Sequence, residues 1–233
     1  MPTISIGYPT DKAWGYDDLL PFVVERLPTF GEFVLVGESF SGPLALKVAA
    51  RRPPGLVGVV LVASFVRPPL PVPTAVCSCL AFLATWFGPI LFRRPPPKLV
   101  LRIVLAGWDA PPEFLHRLRA TIGEVAPDVF SRRAIEILRV DARRDLVECK
   151  VPLLYLQASR DRIVPPSAWK LVSKSRPDAR VTRLEGPHLV LQRAPKAAFD
   201  AIVAWQAAVV ATSEEAAPCA ARIVGELRAR AQR

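Results

Sequence analysis

Eight consecutive residues, Leu56 to Ala63 (LVGVVLVA), carry no polar side chain on either face of an extended chain. A strand with one face in water alternates, so a run that is apolar on both faces belongs inside a parallel sheet covered by helices on each side. Pro152 to Leu156 reads the same way, and Val181 and Arg183, with Thr182 and Leu184, alternate as a strand near a sheet edge does. Phe33 to Val36 supplies another apolar strand core, and Thr3 to Gly7, with its β-branched isoleucines, reads as a further short strand. Helical patterns separate these runs. Leu19, Leu20, Val23, Val24 and Leu27 recur at helical spacing from Asp17 to Pro28, and Leu44, Ala45, Val48 and Ala49 give a second helix a face of mostly small side chains. After Pro195, Phe199, Ile202, Val203 and Trp205 define a last amphipathic helix. Strands alternating with helices imply an α/β fold, a parallel sheet flanked by helices and joined by right-handed crossovers.

Between Pro68 and Glu148 the texture changes to helical segments broken by proline, including Phe114 to Ile122 and Ala134 to Leu138. The chain has 25 prolines, about double the usual ~5% frequency. Their runs (Pro53-Pro54, Pro68-Pro69, Pro95 to Pro97, Pro111-Pro112, Pro165-Pro166) mark connections, since proline fixes φ and lacks a donor. The expected organisation is a core made of residues 1–67 and 146–212, a helical cap over 68–145, and a helical tail over 213–233 using Ile223, Val224 and Leu227. Pro73 to Phe92 carries no charge and approaches the ~20 residues that cross a bilayer. Ser78, Thr85 and Pro89, and its place inside a globular pattern, favour a buried or pocket-lining helix, so no transmembrane span is expected.

The formal net charge of +10 suits attraction to an acidic partner, an acidic carrier protein among them. The cations are scattered among acids without an aromatic-interleaved stripe, and nucleic-acid binding is not expected. Cys77, Cys79, Cys149 and Cys219 have neither zinc spacing nor a disulfide framework, and the first residues lack the pattern of a secretory signal. A reducing, cytoplasmic setting without a metal follows as an expectation.

Chemistry concentrates at three points. Gly37-Glu38-Ser39-Phe40-Ser41-Gly42 puts a serine on a strand-to-helix turn with small residues on both sides, as a strained nucleophile turn requires. The helix that follows aims free N–H groups and its positive dipole end at the site, and the N–H of Phe40 suits an oxyanion. LLYLQASRDRIVPP is an apolar strand ending in a loop with Asp161, and RVTRLEGPHLVLQRAP is a later one ending in a loop with His188. Chain order Ser, Asp, His is the order of the nucleophile-elbow template, and each residue lies just past the carboxyl end of a strand, where open α/β sheets build their sites. Each has a plainer reading: Ser39 in an ordinary glycine-rich turn, Asp161 capping the helix entered through Pro165-Pro166, and His188 as a loop histidine. Asp141 and Asp145 are alternative acids without the strand-end position, and His116 lies in a polar cap helix beside Arg117 and Arg119.

Taken together, GESFSGPLAL, LQASRDRIVP and GPHLVLQRAP resemble the α/β-hydrolase superfamily, and within it the small serine esterases that include pimeloyl-carrier-protein methyl ester carboxylesterases. The resemblance spans about Ile4 to Trp205 and is weakest over the cap. It implies that Ser39 attacks an acyl carbonyl, His188 takes its proton and Asp161 orients the imidazole, giving a cofactor-free hydrolase for a small-molecule ester or thioester. An apolar acyl group would meet Phe82, Trp86, Phe87 and Trp108 of the cap. The family's His-Gly-type oxyanion loop has no counterpart here, and Ile4 to Gly7 resembles the family's fourth strand. The first strands are therefore expected to be missing, as in an N-terminally truncated member. The alternative is a non-catalytic binding protein with an incomplete oxyanion hole.

Overall fold

The computed structural model describes residues 3–70 and 72–209. Four strands, β1 (Phe33–Glu38), β2 (Leu56–Val62), β3 (Leu153–Ala158) and β4 (Arg180–Leu184), form one parallel sheet in the order β1-β2-β3-β4. Val36 pairs with Val60 and Val60 with Leu154, so the two most apolar strands are the inner ones. Their alternate residues feed two cores. Val59, Leu61, Leu153 and Tyr155 join α1 (Tyr16–Val24), α2 (Ser41–Ala50), α7 (Arg143–Glu148) and α8 (Ser167–Ser175) on one side. Val60, Val62, Leu154 and Leu156 face α9 (Val190–Arg193) and Trp205 of the following helix, α10 (residues 195–209), on the other. Each fully buried Val or Leu contributes roughly 1.5 to 3 kcal/mol, which explains why these strands are mainly apolar on both faces, Tyr155 and the half-buried Gln157 being the polar members of β3. Gly58 is part of that fit, since a Cβ there would lie 2.6 Å from the Trp205 ring.

Residues Thr3 to Gly7 do not form the strand expected of them. Their backbone joins no ladder, and β1 has a neighbour on one side only among the described residues. Alternating β-branched residues favour extension, but a strand exists only where a second chain segment accepts its hydrogen bonds. Helix α1 begins at Tyr16, with the Asp18 carboxylate accepting from the Gly15 N–H at 3.0 Å, and Pro21 lies inside it.

Between β2 and β3 the chain is helical: α3 (Thr74–Leu91), α4 (Lys98–Leu101) running into a π-helical turn (Arg102–Ala106), α5 (Pro112–Gly123), α6 (Pro127–Arg139) and α7. Prolines open most of these elements. Pro112 and Pro127 occupy first helical positions, where the missing N–H has no intrahelical role. Helices α3 and α6 pack closely through Gly88, where a Cβ would meet Ser131 Oγ at 2.0 Å, and that hydroxyl donates to the Ala84 carbonyl at 2.8 Å. The expectation is of a buried or pocket-lining helix: one face of α3 is buried and Cys77 lines a cavity with Phe65 and Leu171, while Phe82, Leu83, Trp86, Phe87, Ile90 and Leu91 are exposed. No helix among the described residues is long and apolar enough to cross a membrane. The tail expected over 213–233 and Cys219 lie outside the described residues; Cys77, Cys79 and Cys149 are free thiols.

Candidate active site

Ser39 follows β1 directly, Asp161 lies three residues beyond β3, and His188 four beyond β4. Parallel strands deliver all three to the same end of the sheet. The loops after β3 and β4 are laced together, the Ser159 N–H donating to Leu184 O and the Arg160 N–H to Gly186 O, each at 2.9 Å. His188 Nε2 lies 2.8 Å from Ser39 Oγ, and its Nδ1 lies 2.8 Å from Asp161 Oδ2. The carboxylate accepts, so Nδ1 carries the proton, and Nε2 is left as the acceptor for the Ser39 hydroxyl. Asp161 and His188 side chains are nearly inaccessible, at 4% and 3% exposure. Asp161 Oδ1 accepts the N–H groups of Ile163 and Val164 at 2.8 and 2.9 Å, so one carboxylate both shapes its own loop and holds the imidazole.

The turn around Ser39 is strained and tightly packed. Ser39 has φ 51°, a left-handed conformation that costs a side-chain-bearing residue roughly 1 to 3 kcal/mol. A Cβ on Gly37 would lie 2.7 Å from the Ser41 carbonyl, and one on Gly42 would lie 1.8 Å from Ser64 Oγ. Ser39 N–H donates to Val62 O at 2.9 Å, and Ser39 O accepts from the Gly42 N–H at 3.0 Å. Phe40 is the N-cap of α2, where backbone N–H groups lack intrahelical acceptors. Its ring stacks on Tyr16 with centroids 4.7 Å apart, and its carbonyl accepts the Tyr16 hydroxyl at 3.0 Å.

A sequence model of the Alpha/beta hydrolase family matches residues 5–202. The chain belongs to that family. Solved structures with the same fold include a bromoperoxidase from Bacillus anthracis (16% identity, TM-score 0.67, 86% of this chain and 76% of that one). An esterase from Exiguobacterium antarcticum (16%, 0.65, 84% and 75%) and a thermophilic esterase from Thermogutta terrifontis (23%, 0.59, 83% and 71%) share it too. No curated protein matches in sequence.

In this alpha/beta hydrolase Phe82, Trp86, Phe87 and Trp108, expected to meet an acyl group, are 60%, 68%, 62% and 58% exposed, whereas the Asp161 and His188 side chains are buried. Trp108 belongs to a segment fastened to the His188 loop, through the Leu189 N–H on Leu105 O at 3.1 Å and Arg193 on Asp109 at 3.1 Å. Asp141 is paired with Arg143, Asp145 with Lys47, and His116 is exposed on α5. Sequence reading missed four residues that frame the site. Ser64 and Tyr155 support the Ser39 backbone, Tyr8 donates to Ser41 Oγ at 2.9 Å, and Glu38 accepts from Gln192 at 2.7 Å. Burial pushes the Tyr8 and Tyr155 phenols up and raises the Glu38 carboxyl. A phenol inside an apolar strand was the available signal for Tyr155, since a buried hydroxyl needs a partner.

Proposed function

We propose that this protein is a serine hydrolase that cleaves a carboxylic ester or thioester with an apolar acyl group. The observation that carries the reading is the unbroken chain of contacts from Asp161 through His188 to Ser39, 2.8 Å at each step. Ser39 Oγ attacks the acyl carbonyl as its proton passes to His188 Nε2, and the imidazolium that forms is stabilised by the Asp161 carboxylate. The tetrahedral intermediate collapses to an acyl-enzyme as His188 protonates the leaving group. Water, deprotonated by the same nitrogen, then releases the acid. The Phe40 N–H, at the positive end of α2, meets the developing oxyanion. Trp108, whose segment is held to Leu189 and Arg193 of the His188 loop, is the cap aromatic best suited to the acyl chain.

A fluorophosphonate probe should label Ser39, and Ser39→Ala protein should lose the label. Folded protein that is not labelled would count against the assignment. The second reading, a binding protein of the same family, is favoured by the single oxyanion donor identified, because losing one donor typically slows turnover by roughly 10²- to 10³-fold. Turnover of p-nitrophenyl esters that requires Ser39 decides against it. An acidic carrier protein as the bearer of the acyl group fits the +10 charge, and binding that does not weaken with rising salt would remove that reading.

A further inference from the structure

Helix α3 is apolar around nearly its whole circumference, a pattern that ordinarily belongs to a helix buried on all sides. Its attachment is a narrow seam of small residues instead. Cys77, Ala81 and Gly88 are buried, four and seven residues apart, and the bulky side chains point outward. Val76, Leu80, Leu83, Phe87 and Ile90 recur at alternating intervals of four and three, which aligns them in one exposed stripe with Trp86 beside it. Single exposed apolar residues are ordinary; a continuous stripe is an interaction surface.

Charge decides what covers it. Arg93, Arg94 and Lys98 follow the helix, all exposed, and among the described residues none of the three forms an ion pair. No acidic residue occurs between Glu38 and Asp109. A second copy of the chain, itself at +10, would bring the same cations against each other. An acidic lipid surface matches both features, since acyl chains accept the stripe and headgroup phosphates accept the cations. The helix does not meet the requirements for crossing a bilayer, so it would lie in the plane of the interface.

We propose that the outer face of α3, with Arg93, Arg94 and Lys98, docks this protein onto an anionic phospholipid surface. The inference goes beyond ester hydrolysis and stands without it. The test is flotation of the full chain with vesicles of phosphatidylcholine alone and of phosphatidylcholine with phosphatidylglycerol. Binding to the anionic vesicles is expected to be at least roughly tenfold stronger, with tryptophan emission quenched by brominated acyl chains. Trp86→Ser with Phe87→Ser should abolish flotation, and Arg93→Ser with Arg94→Ser should weaken it on the order of fivefold per charge. Circular dichroism confirms that these exposed substitutions leave the fold intact, and Ser39→Ala protein should float like the wild type. No flotation, equal binding to both vesicle types, or binding indifferent to the Trp86 and Phe87 changes would overturn the proposal. A concentration-dependent dimer in sedimentation velocity, lost in the Trp86→Ser, Phe87→Ser protein, would assign the face to a second copy instead.

Discussion

Ser64 Oγ donates to the Ser39 carbonyl at 2.8 Å, and the Ser64 carbonyl in turn accepts the Tyr155 hydroxyl at 2.6 Å. The contact runs from the end of β2 to the strained turn after β1, with β3 behind it. The conformation at Ser39 is therefore held by the two inner strands as well as by its own turn.

Removing one end of this relay should loosen the turn. Ser64→Ala is expected to cost about 1 kcal/mol, because the Ser39 carbonyl keeps its Gly42 N–H. Tyr155→Phe strips a buried carbonyl of its donor and should cost about 1 to 3 kcal/mol. Urea denaturation of both single variants and the double variant checks this, and a double variant that equals the sum of the singles would show the two bonds to be independent.

Gly42→Ala drives a methyl group into Ser64 Oγ. Overpacking of this kind costs typically about 1 to 3 kcal/mol, and the displaced Ser64 should lower ester turnover as well. Adding Ser64→Gly vacates the space, so the double variant should recover part of the lost melting temperature. If it recovers none, the clash is not the cause.

Asp161→Asn preserves an oxygen for the Ile163 and Val164 N–H groups but offers His188 Nδ1 an amide. The imidazole then loses its enforced tautomer, and on the proposed mechanism kcat should fall by roughly 10⁴-fold with the melting temperature little changed. Steady-state kinetics on a chromogenic ester, paired with thermal melts, separates the two effects. A loss in kcat matched by a collapse in stability would point to loop structure instead.

Glu38 gives a prediction about pH. Burial raises its carboxyl above the ordinary glutamate value, so the folded protein holds this proton to higher pH than the unfolded chain does. Where the folded state binds more protons, stability falls as pH rises, here from the unfolded glutamate range up through the raised folded value. Glu38→Gln keeps an acceptor for Gln192 and removes the charge. Its melting temperature should match the wild type at acidic pH and exceed it at neutral pH; a constant difference across the range would sink the idea.

Much of this was legible in the residues. Leu56 to Ala63 and Pro152 to Leu156 announce inner strands because each alternate side chain must enter a different core, and mainly apolar residues satisfy both. Gly37-Glu38-Ser39-Phe40-Ser41-Gly42 is legible because its backbone excludes large neighbours. Thr3 to Gly7 carries a strand pattern without forming one, because an extended preference is local whereas membership of a sheet depends on a partner. The relay from Tyr155 to Ser64 spans 91 residues, so the phenol in its apolar strand signals that a partner is needed but not which residue supplies it.

By itself the sequence determined the parallel α/β sheet and the order of its candidate serine, aspartate and histidine, because periodicity and steric limits act on residues near one another in the chain. Tertiary structure alone decided two further things. It brought Ser39 and His188, 149 residues apart, to 2.8 Å, and it left the bulky side of α3 facing outward. A helix that is apolar all round reads the same whether it is buried or bare, and the seam of Cys77, Ala81 and Gly88, with Gly88 packed against Ser131, fixes which face the protein keeps.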